Sequence, residues 1–225
     1  MTPTTEQPPR PPEEIDHRAI KLLVGLIAIL LGNVTNLVSS SHQLESISQS
    51  YHEGGWSRDI FIGFLFAIAA FMFTYNGKEF HEKVMSKVAA VAALGVALFP
   101  CECRNYPVRV PFVHGISAAV MFLVLAGFCY LFHRRALEKR RKEAKRRAGI
   151  YAACGIVMMG AILALTINNF VGDIIYNKCN RIVFYGELAG LIAFGVSWLT
   201  ASKVFPFLTN QDERFSPFGA NPADG

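Results

Sequence analysis

Six long apolar runs, each bounded by charged residues or by proline and glycine, constrain the fold of this 225-residue chain more than any other feature. A helix needs about 20 mostly apolar residues to cross the roughly 30 Å hydrocarbon layer of a bilayer. The runs approach or reach that length, so they predict an all-α polytopic membrane protein with six transmembrane helices in one bundle. They cover residues 19–38, 60–75, 84–99, 110–132, 148–171 and 182–201.

The composition supports this fold class. The mean hydropathy is +0.32 and 17% of the residues are charged, against about 25% in soluble domains. These values argue against a soluble globule, a disordered chain, a collagen-like chain and a disulfide scaffold. No internal repeat or linker is visible, so one domain is expected over residues 18–203. A proline-rich, disordered segment (1–17) precedes it and a tail (204–225) follows it.

The distribution of Lys and Arg predicts the orientation. Seventeen of the 22 lie in the N-terminal segment, in and beside the 77–83 turn, in the 134–147 linker and in the tail, whereas five lie in the alternate loops. Positive charge favours the cytoplasmic side, so both termini are expected in the cytoplasm, most simply at a bacterial cytoplasmic membrane. A cleavable signal peptide is the alternative interpretation of the first run, although no A-x-A-like site follows it.

The 134–147 linker carries nine cations and is expected to continue the fourth helix. Cations close to a membrane surface attract anionic headgroups by about 1 kcal/mol each. We therefore expect anionic-lipid contacts there and no nucleic-acid binding; a role in topology alone is the other interpretation. The cations are Arg134, Arg135, Lys139, Arg140, Arg141, Lys142, Lys145, Arg146 and Arg147.

Polar residues gather in the predicted outer half of the bundle. Glu187 lies about six residues inside its outer boundary, where a carboxylate should face the bundle and have a partner. His114 and Arg58 are the nearest partners by depth. We therefore hypothesise an outward-facing polar pocket, unless Glu187 lies at headgroup level beside Arg181. The pocket would be lined by Arg58, Asp59, His114, Ser117, Asn168 and Glu187.

Three cysteines, Cys101, Cys103 and Cys179, fall on the predicted outer side, where disulfides are permitted. Cys179 could bridge either of the other two. Zinc is the rival interpretation, with Cys101 and Cys103 joined by His114, or by His42 and His52. The C-x-C spacing is not that of a structural zinc site, so no metal is expected.

Enzyme signatures are weak. Ser117 lies one helical turn from His114, but no G-x-S-x-G or H-E-x-x-H motif accompanies this pair. Haem would need paired axial histidines deep in the bundle, and His114 and His133 are expected near opposite interfaces. There is no P-loop or dinucleotide motif, so no cofactor is expected.

Gly186 and Gly190 form a G-x-x-x-G motif, which is compatible with a homo-oligomer as well as with helix packing within one chain.

Several short motifs resemble uncharacterised bacterial multi-span membrane proteins and, distantly, the damage-regulated autophagy modulator and Sfk-like families. They are Ile47-Ser48, RDIFIG at 58–63, GVALFP at 95–100, HGISAA at 114–119, and Glu187 followed by FGVSWLT at 194–200. The resemblance covers about residues 20–203. It implies a six-span bundle with cytoplasmic termini and, for the eukaryotic relatives, a part in lipid and membrane regulation. The 101–104 CECR segment and the basic linker have no counterpart in it.

The leading functional hypothesis is a non-enzymatic membrane protein that binds or senses lipid through the polar pocket. A membrane-embedded lipid hydrolase is the first alternative, with His114 and either Asp59 or Glu187 as acid and base and with metal assistance as an option. A small proton-coupled transporter that uses Glu187 is the second alternative.

Overall fold

Seven α-helices and one short 3-10 turn make up the regular structure of the described residues, in a computed structural model. That description covers residues 17–40, 43–102, 107–171, 181–210 and 214, without the side chains of 169–171. The helices are α1 (His17–Leu37), α2 (Ser50–Glu53), α3 (Gly55–Thr74), α4 (Phe80–Leu98), α5 (Val113–Glu138), α6 (Lys142–Val171) and α7 (Ile182–Ser202), and the turn is Pro206–Leu208. The described ranges contain no strand, and the predicted all-α class is confirmed.

Five of these helices, α1, α3, α5, α6 and α7, are long and apolar enough to cross a membrane. The chain therefore has the helices of a multi-pass membrane protein. The sixth predicted span, α4, has 19 residues and is about 28 Å long at 1.5 Å per residue. Its first two turns carry His81, Glu82, Lys83 and Lys87, which lower its hydropathy. Five of the six predicted spans are thus apolar enough to cross a membrane by their composition, and α4 is not.

The six long helices form a closed ring in which each contacts its two neighbours, in the order α1, α3, α4, α5, α6, α7 and back to α1. Neighbours are antiparallel: Gly25, early in α1, lies against Gly195, late in α7, and Gly32 lies against Leu188. The ring therefore has two ends. We call the end that holds the 75–79 and 139–141 turns the basic end, and the opposite end the Glu187 end.

Glycines permit the closest helix contacts in the ring. A Cβ on Gly195 would lie 2.6 Å from the carbonyl oxygen of Gly25, so α1 and α7 touch backbone to backbone. The G-x-x-x-G pair is used within the chain, because a Cβ on Gly186 would meet Leu165 at 2.9 Å and one on Gly190 would meet Phe122 at 2.7 Å. This is the close packing by small residues that membrane helices use.

The basic linker continues the preceding helix only as far as Glu138 and then turns a corner, whereas it had been expected to continue that helix throughout. α5 ends at Glu138, α6 begins at Lys142, and Arg140 between them has a φ of +53°. A left-handed residue interrupts the helical hydrogen bonds, so Glu138 and Lys142 belong to different helices. The tail starts with ordered contacts: Leu208 is buried and its carbonyl oxygen accepts a 2.6 Å hydrogen bond from Arg147. Residues 1–16 lie outside the described residues.

Candidate functional site

A cavity of about 40 Å³ lies inside the Glu187 end of the ring. Three of its lining residues carry polar side chains, namely Ser48, His114 and Glu187. The remaining lining is apolar and comes from every long helix except α6, together with the loop between α1 and α2. The apolar lining residues are Leu31, Ile47, Phe61, Leu65, Val96, Ala118, Met121, Phe122 and Leu191. The cavity therefore has three polar side chains in an otherwise apolar lining.

The carboxylate of Glu187 is held by the loop that follows α1. Its Oε2 accepts hydrogen bonds from the backbone N–H of Ile47 at 2.5 Å and of Ser48 at 3.4 Å, and its Oε1 accepts one from the Ser48 hydroxyl at 3.0 Å. The predicted partners, His114 and Arg58, are not bonded to it. Backbone N–H groups of a turn can satisfy an anion as a cation would, and the sequence does not show that this loop folds back over the ring.

Residues 43–50, here called the 43–50 loop, are fixed to the start of α7. The backbone N–H of Phe184 donates to the carbonyl oxygen of Glu45 at 2.9 Å. Arg181 donates to the carbonyl oxygen of Leu44 at 3.0 Å and to the side chain of Asn36 at 2.8 Å. Leu44, like Ile47, is almost fully buried. The loop therefore acts as a plug, with its apolar side chains directed into the ring.

His114 is buried at the start of α5, where its Nδ1 lies 2.8 Å from the carbonyl oxygen of Phe99. A carbonyl oxygen only accepts, so Nδ1 carries the hydrogen and donates it. In the neutral imidazole, Nε2 is then the nitrogen with an available lone pair. One hydrogen bond thus fixes both the ring and its tautomer.

The other four residues of the hypothesised pocket lie outside this cavity. Arg58 and Asp59 are exposed and pair with each other at 3.4 Å. Ser117 packs against α4, where its Oγ would lie 2.3 Å from a Cβ on Gly95. Asn168 is on α6, and its Oδ1 is buried without a hydrogen-bond partner in the described part of the chain. The structure therefore brings together His114 and Glu187 from the predicted set.

The cysteines are partly described. Cys101 is disulfide-bonded, while Cys129 and Cys154 are free and buried. Cys103 and Cys179, the other two predicted disulfide residues, lie outside the described residues. For the zinc interpretation, His52 lies with its Nε2 2.8 Å from the Cys101 carbonyl oxygen, and His42 is not described. Over the described ranges, no three His, Cys, Asp or Glu side chains are grouped to hold a metal ion.

The nine predicted lipid-contacting cations divide into two groups. Seven are exposed around the α5–α6 corner: Arg134, Lys139, Arg140, Arg141, Lys142, Lys145 and Arg146. The other two are engaged inside the protein. Arg147 is buried and bonds to Leu208, and Arg135 forms ion pairs with two glutamates.

An ion pair that the sequence analysis missed lies at the basic end. Glu82 on α4 is fully buried and pairs with Arg135 on α5. Its other carboxylate oxygen accepts a 2.9 Å hydrogen bond from the backbone N–H of Lys78. Gly77, with a φ of +63°, allows this turn to close, because a Cβ there would lie 2.4 Å from the Cβ of Glu82. A buried carboxylate is thus satisfied from two sides.

An aromatic cluster surrounds this pair and includes a second cation. Trp198, Tyr75 and Phe128 are almost fully buried and contact one another edge to face or tilted, with ring centroids 5.3 to 6.0 Å apart. The Lys21 ammonium lies 5.3 Å from the Tyr75 ring centroid and 5.1 Å from that of Phe132, within range for cation–π attraction. Charged side chains therefore also lie inside the basic end of the ring, in addition to Glu187 at the other end.

Helical periodicity does contain a signal for both hidden charges. Glu82 precedes Ser86 by four residues and the buried Ala93 by eleven, so it lies on the buried face of α4. Lys21 precedes the buried Gly25 by four residues and Ala28 by seven, which places it on the buried face of α1. Charge counts along the loops do not reveal this, because both residues look like ordinary helix-end charges.

Comparison of the chain with protein-family models, with curated proteins and with solved structures finds no match.

Proposed function

We propose that this is a non-enzymatic multi-pass membrane protein that binds or senses lipid at its Glu187 end. The observation that supports the proposal is the amphipathic lining of the cavity, in which Ser48, His114 and Glu187 are the polar side chains and the other lining residues are apolar. A lipid also has a polar group and an apolar chain, so its polar group would face these three side chains and its chain would face the apolar lining residues. The resemblance to lipid-regulating families agrees with this function.

The volume of the cavity makes the 43–50 loop part of the function. About 40 Å³ accommodates roughly three water-sized spheres of 10–15 Å³, which is far less than a lipid chain requires. A lipid would therefore enter only as the loop moves, and that movement would break the three hydrogen bonds to Glu187. Entry of lipid and release of the loop would be one event, which is what a sensor requires.

The test compares two neighbouring alanines on α5. Ala118→Phe fills the cavity, whereas Ala119→Phe adds the same volume to an exposed position. We expect native mass spectrometry of the purified protein to find bound lipid on the Ala119 variant and on the unmodified protein, and to find much less on the Ala118 variant. Thermal unfolding of both variants confirms that they are folded. Equal lipid retention by both folded variants would contradict the proposal.

We also propose that α4 is the sixth span and that the basic end faces the cytoplasm. The contacts of the charged residues in the first turns of α4 support its assignment as a span, because Glu82 is buried and paired and the Lys87 ammonium contacts Phe73. The positive-inside rule supports the cytoplasmic placement of the basic end. An impermeant thiol reagent should label Asp59→Cys more than the unmodified protein on intact cells, and should label Lys142→Cys more than the unmodified protein only after permeabilisation. The reverse pattern would contradict this orientation.

Contacts with anionic lipid are proposed for the seven exposed cations of the corner and not for Arg135 or Arg147. The support is their exposure beside the ends of two spanning helices. A variant with Lys142, Lys145 and Arg146 changed to Gln should retain less phosphatidylglycerol than the unmodified protein in native mass spectrometry. An Arg147→Gln variant should instead lose thermal stability. Unchanged phosphatidylglycerol retention by the triple variant would refute the contact.

A lipid hydrolase is the second candidate, because His114 and Glu187 line the same cavity and could act as acid and base. Its test is release of fatty acid or headgroup from lipids in detergent micelles. A rate that is lost in both His114→Ala and Glu187→Gln, and kept in Asp59→Asn, would favour the hydrolase over the lipid-binding protein.

A further inference from the structure

A second cavity, separate from the one at the Glu187 end, lies on the surface of the basic end. Its volume is about 170 Å³. It lies between the first residues of α4, with Glu79 before them, and the last two turns of α5. We call it the basic-end groove, and its lining is formed by Glu79, His81, Leu131, Arg134, Arg135 and Glu138.

The charges that line the groove are balanced. Its lining holds two arginines and two glutamates, and Arg134 is the one exposed cation of the corner that belongs to it. Arg135 is 3.0 Å from Glu79 and also pairs with the buried Glu82, so its charge is already compensated. A purely anionic ligand would therefore gain the attraction of Arg134 and meet the repulsion of the carboxylates. A ligand with one positive and one negative group would find a partner for each.

Exposed apolar side chains also lie on the two helices that border the groove. Phe80 is 80% exposed, Tyr130 is 60% exposed and Val84 is 44% exposed, and all three are on the helices that form the groove. Exposed aromatic rings at the ends of spanning helices are typical of the membrane interface. Leu131 in the lining belongs to the spanning part of α5. A bound headgroup would therefore have its chains directed along an apolar helix surface.

We propose that the basic-end groove binds the headgroup of a zwitterionic phospholipid that carries a phosphate and a primary ammonium. The phosphate lies toward Arg134, and the ammonium lies toward Glu138 and toward Glu79, which also contacts the His81 Nδ1 at 3.3 Å. A primary ammonium has three N–H donors and can bond to both carboxylates, whereas a trimethylated amine has none. This site is independent of the lipid proposed for the other end of the ring, because the two cavities share no residue.

The experiment is native mass spectrometry of the full chain in detergent micelles that contain equal amounts of phosphatidylethanolamine, phosphatidylcholine and phosphatidylglycerol. We compare Arg134→Gln and Glu138→Gln with two control variants, Arg58→Gln and Asp59→Asn. The controls make the same kinds of change at an exposed ion pair near the start of α3, at the Glu187 end of the ring. The unmodified protein and both control variants should retain phosphatidylethanolamine in preference to the other two lipids. Glu138→Gln should lower that preference by up to about fivefold, the ratio that corresponds to 1 kcal/mol for an exposed ion pair.

Three results would overturn the proposal. The first is equal retention of the amine-bearing and the trimethylated lipid by the unmodified protein. The second is loss of retention in the control variants as large as that in Glu138→Gln. The third is displacement of the lipid by soluble glycerophosphoethanolamine at a similar concentration, which would identify a site for a soluble ligand. Retention that falls in Arg134→Gln for every phospholipid, together with a selective loss in Glu138→Gln, would support it.

Discussion

The buried ion pair between Glu82 and Arg135 gives the sharpest test of how the ring is held together. Glu82 is fully buried and Arg135 has 25% of its side chain exposed. Arg135→Met keeps the length and the apolar stem of the side chain and removes its charge, so the buried Glu82 loses its paired cation and keeps the hydrogen bond from the Lys78 N–H. Removal of one member of a buried pair costs about 3–5 kcal/mol. Since Arg135 is partly exposed, we expect a value near the lower limit, about 3 kcal/mol.

For a chain of this size, each kcal/mol corresponds to a shift of about 2–4 °C in Tm, so the expected loss is roughly 6–12 °C. The assay is thermal unfolding in detergent with a thiol-reactive fluorescent dye. It suits this chain because Cys129 and Cys154 are free and buried, and they become reactive as the helices separate. Arg146→Met is the matched control, because Arg146 is exposed on α6. Its Tm should change by no more than about 2 °C, since exposed substitutions usually cost under 0.5 kcal/mol.

The double variant separates a lost ion pair from lost packing. If the cost comes from the unpaired carboxylate, Glu82→Gln combined with Arg135→Met should recover more than half of the loss, because no buried carboxylate is then left without its arginine. An Arg135→Met loss no larger than that of Arg146→Met would refute the reasoning. A double variant whose loss is the sum of the two single losses would also refute it.

Two further predictions concern the helix contacts and the pH dependence. Gly195→Leu should lower Tm by well over 5 °C, because its side chain would meet the backbone of α1, whereas Gly160→Leu should have little effect because nothing lies within 4 Å. The Arg135 hydrogen bond holds the pKa of the exposed Glu79 carboxyl below its ordinary value. The stabilisation that this ion pair provides is therefore complete above the ordinary pKa of a glutamate, and it is lost as the pH falls through the lowered pKa of Glu79. In a plot of Tm against pH, Glu79→Gln should therefore lose less Tm at acid pH than the unmodified protein does.

The fold was predictable wherever one helix alone carries the information. The helices extend beyond the predicted apolar spans by at most six residues, to 138 from a span that ends at 132 for α5 and to 142 from a span that begins at 148 for α6. Both differences lie at the charged corner, because the apolar runs end there while the two helices continue through charged residues. Span length thus depends on the residues outside the hydrocarbon as well as on those inside it.

The candidate site was predictable only in part, because its geometry depends on a loop. His114 and Glu187 share the cavity as the depth argument suggested, but the partner of Glu187 is the backbone of Ile47 and Ser48. Hydropathy and charge patterns describe side chains along helices. They contain no information about the N–H groups that a returning loop will present, so the partner could not be inferred from the sequence.

The two buried carboxylates differ in how easily their partners can leave. Glu82 is bound by a side chain of α5, so its release would require two ring helices to separate. Glu187 is bound by the 43–50 loop, whose departure leaves the ring closed. Because loops open at lower free energy than packed helices, hydrogen exchange should be faster at the Ile47 amide than at the amides of 86–97. Glu187→Ala should accelerate exchange in the loop and leave the α4 amides unchanged. If both segments accelerated together, Glu187 would be holding the whole ring, and a loop that opens alone to admit lipid would be ruled out.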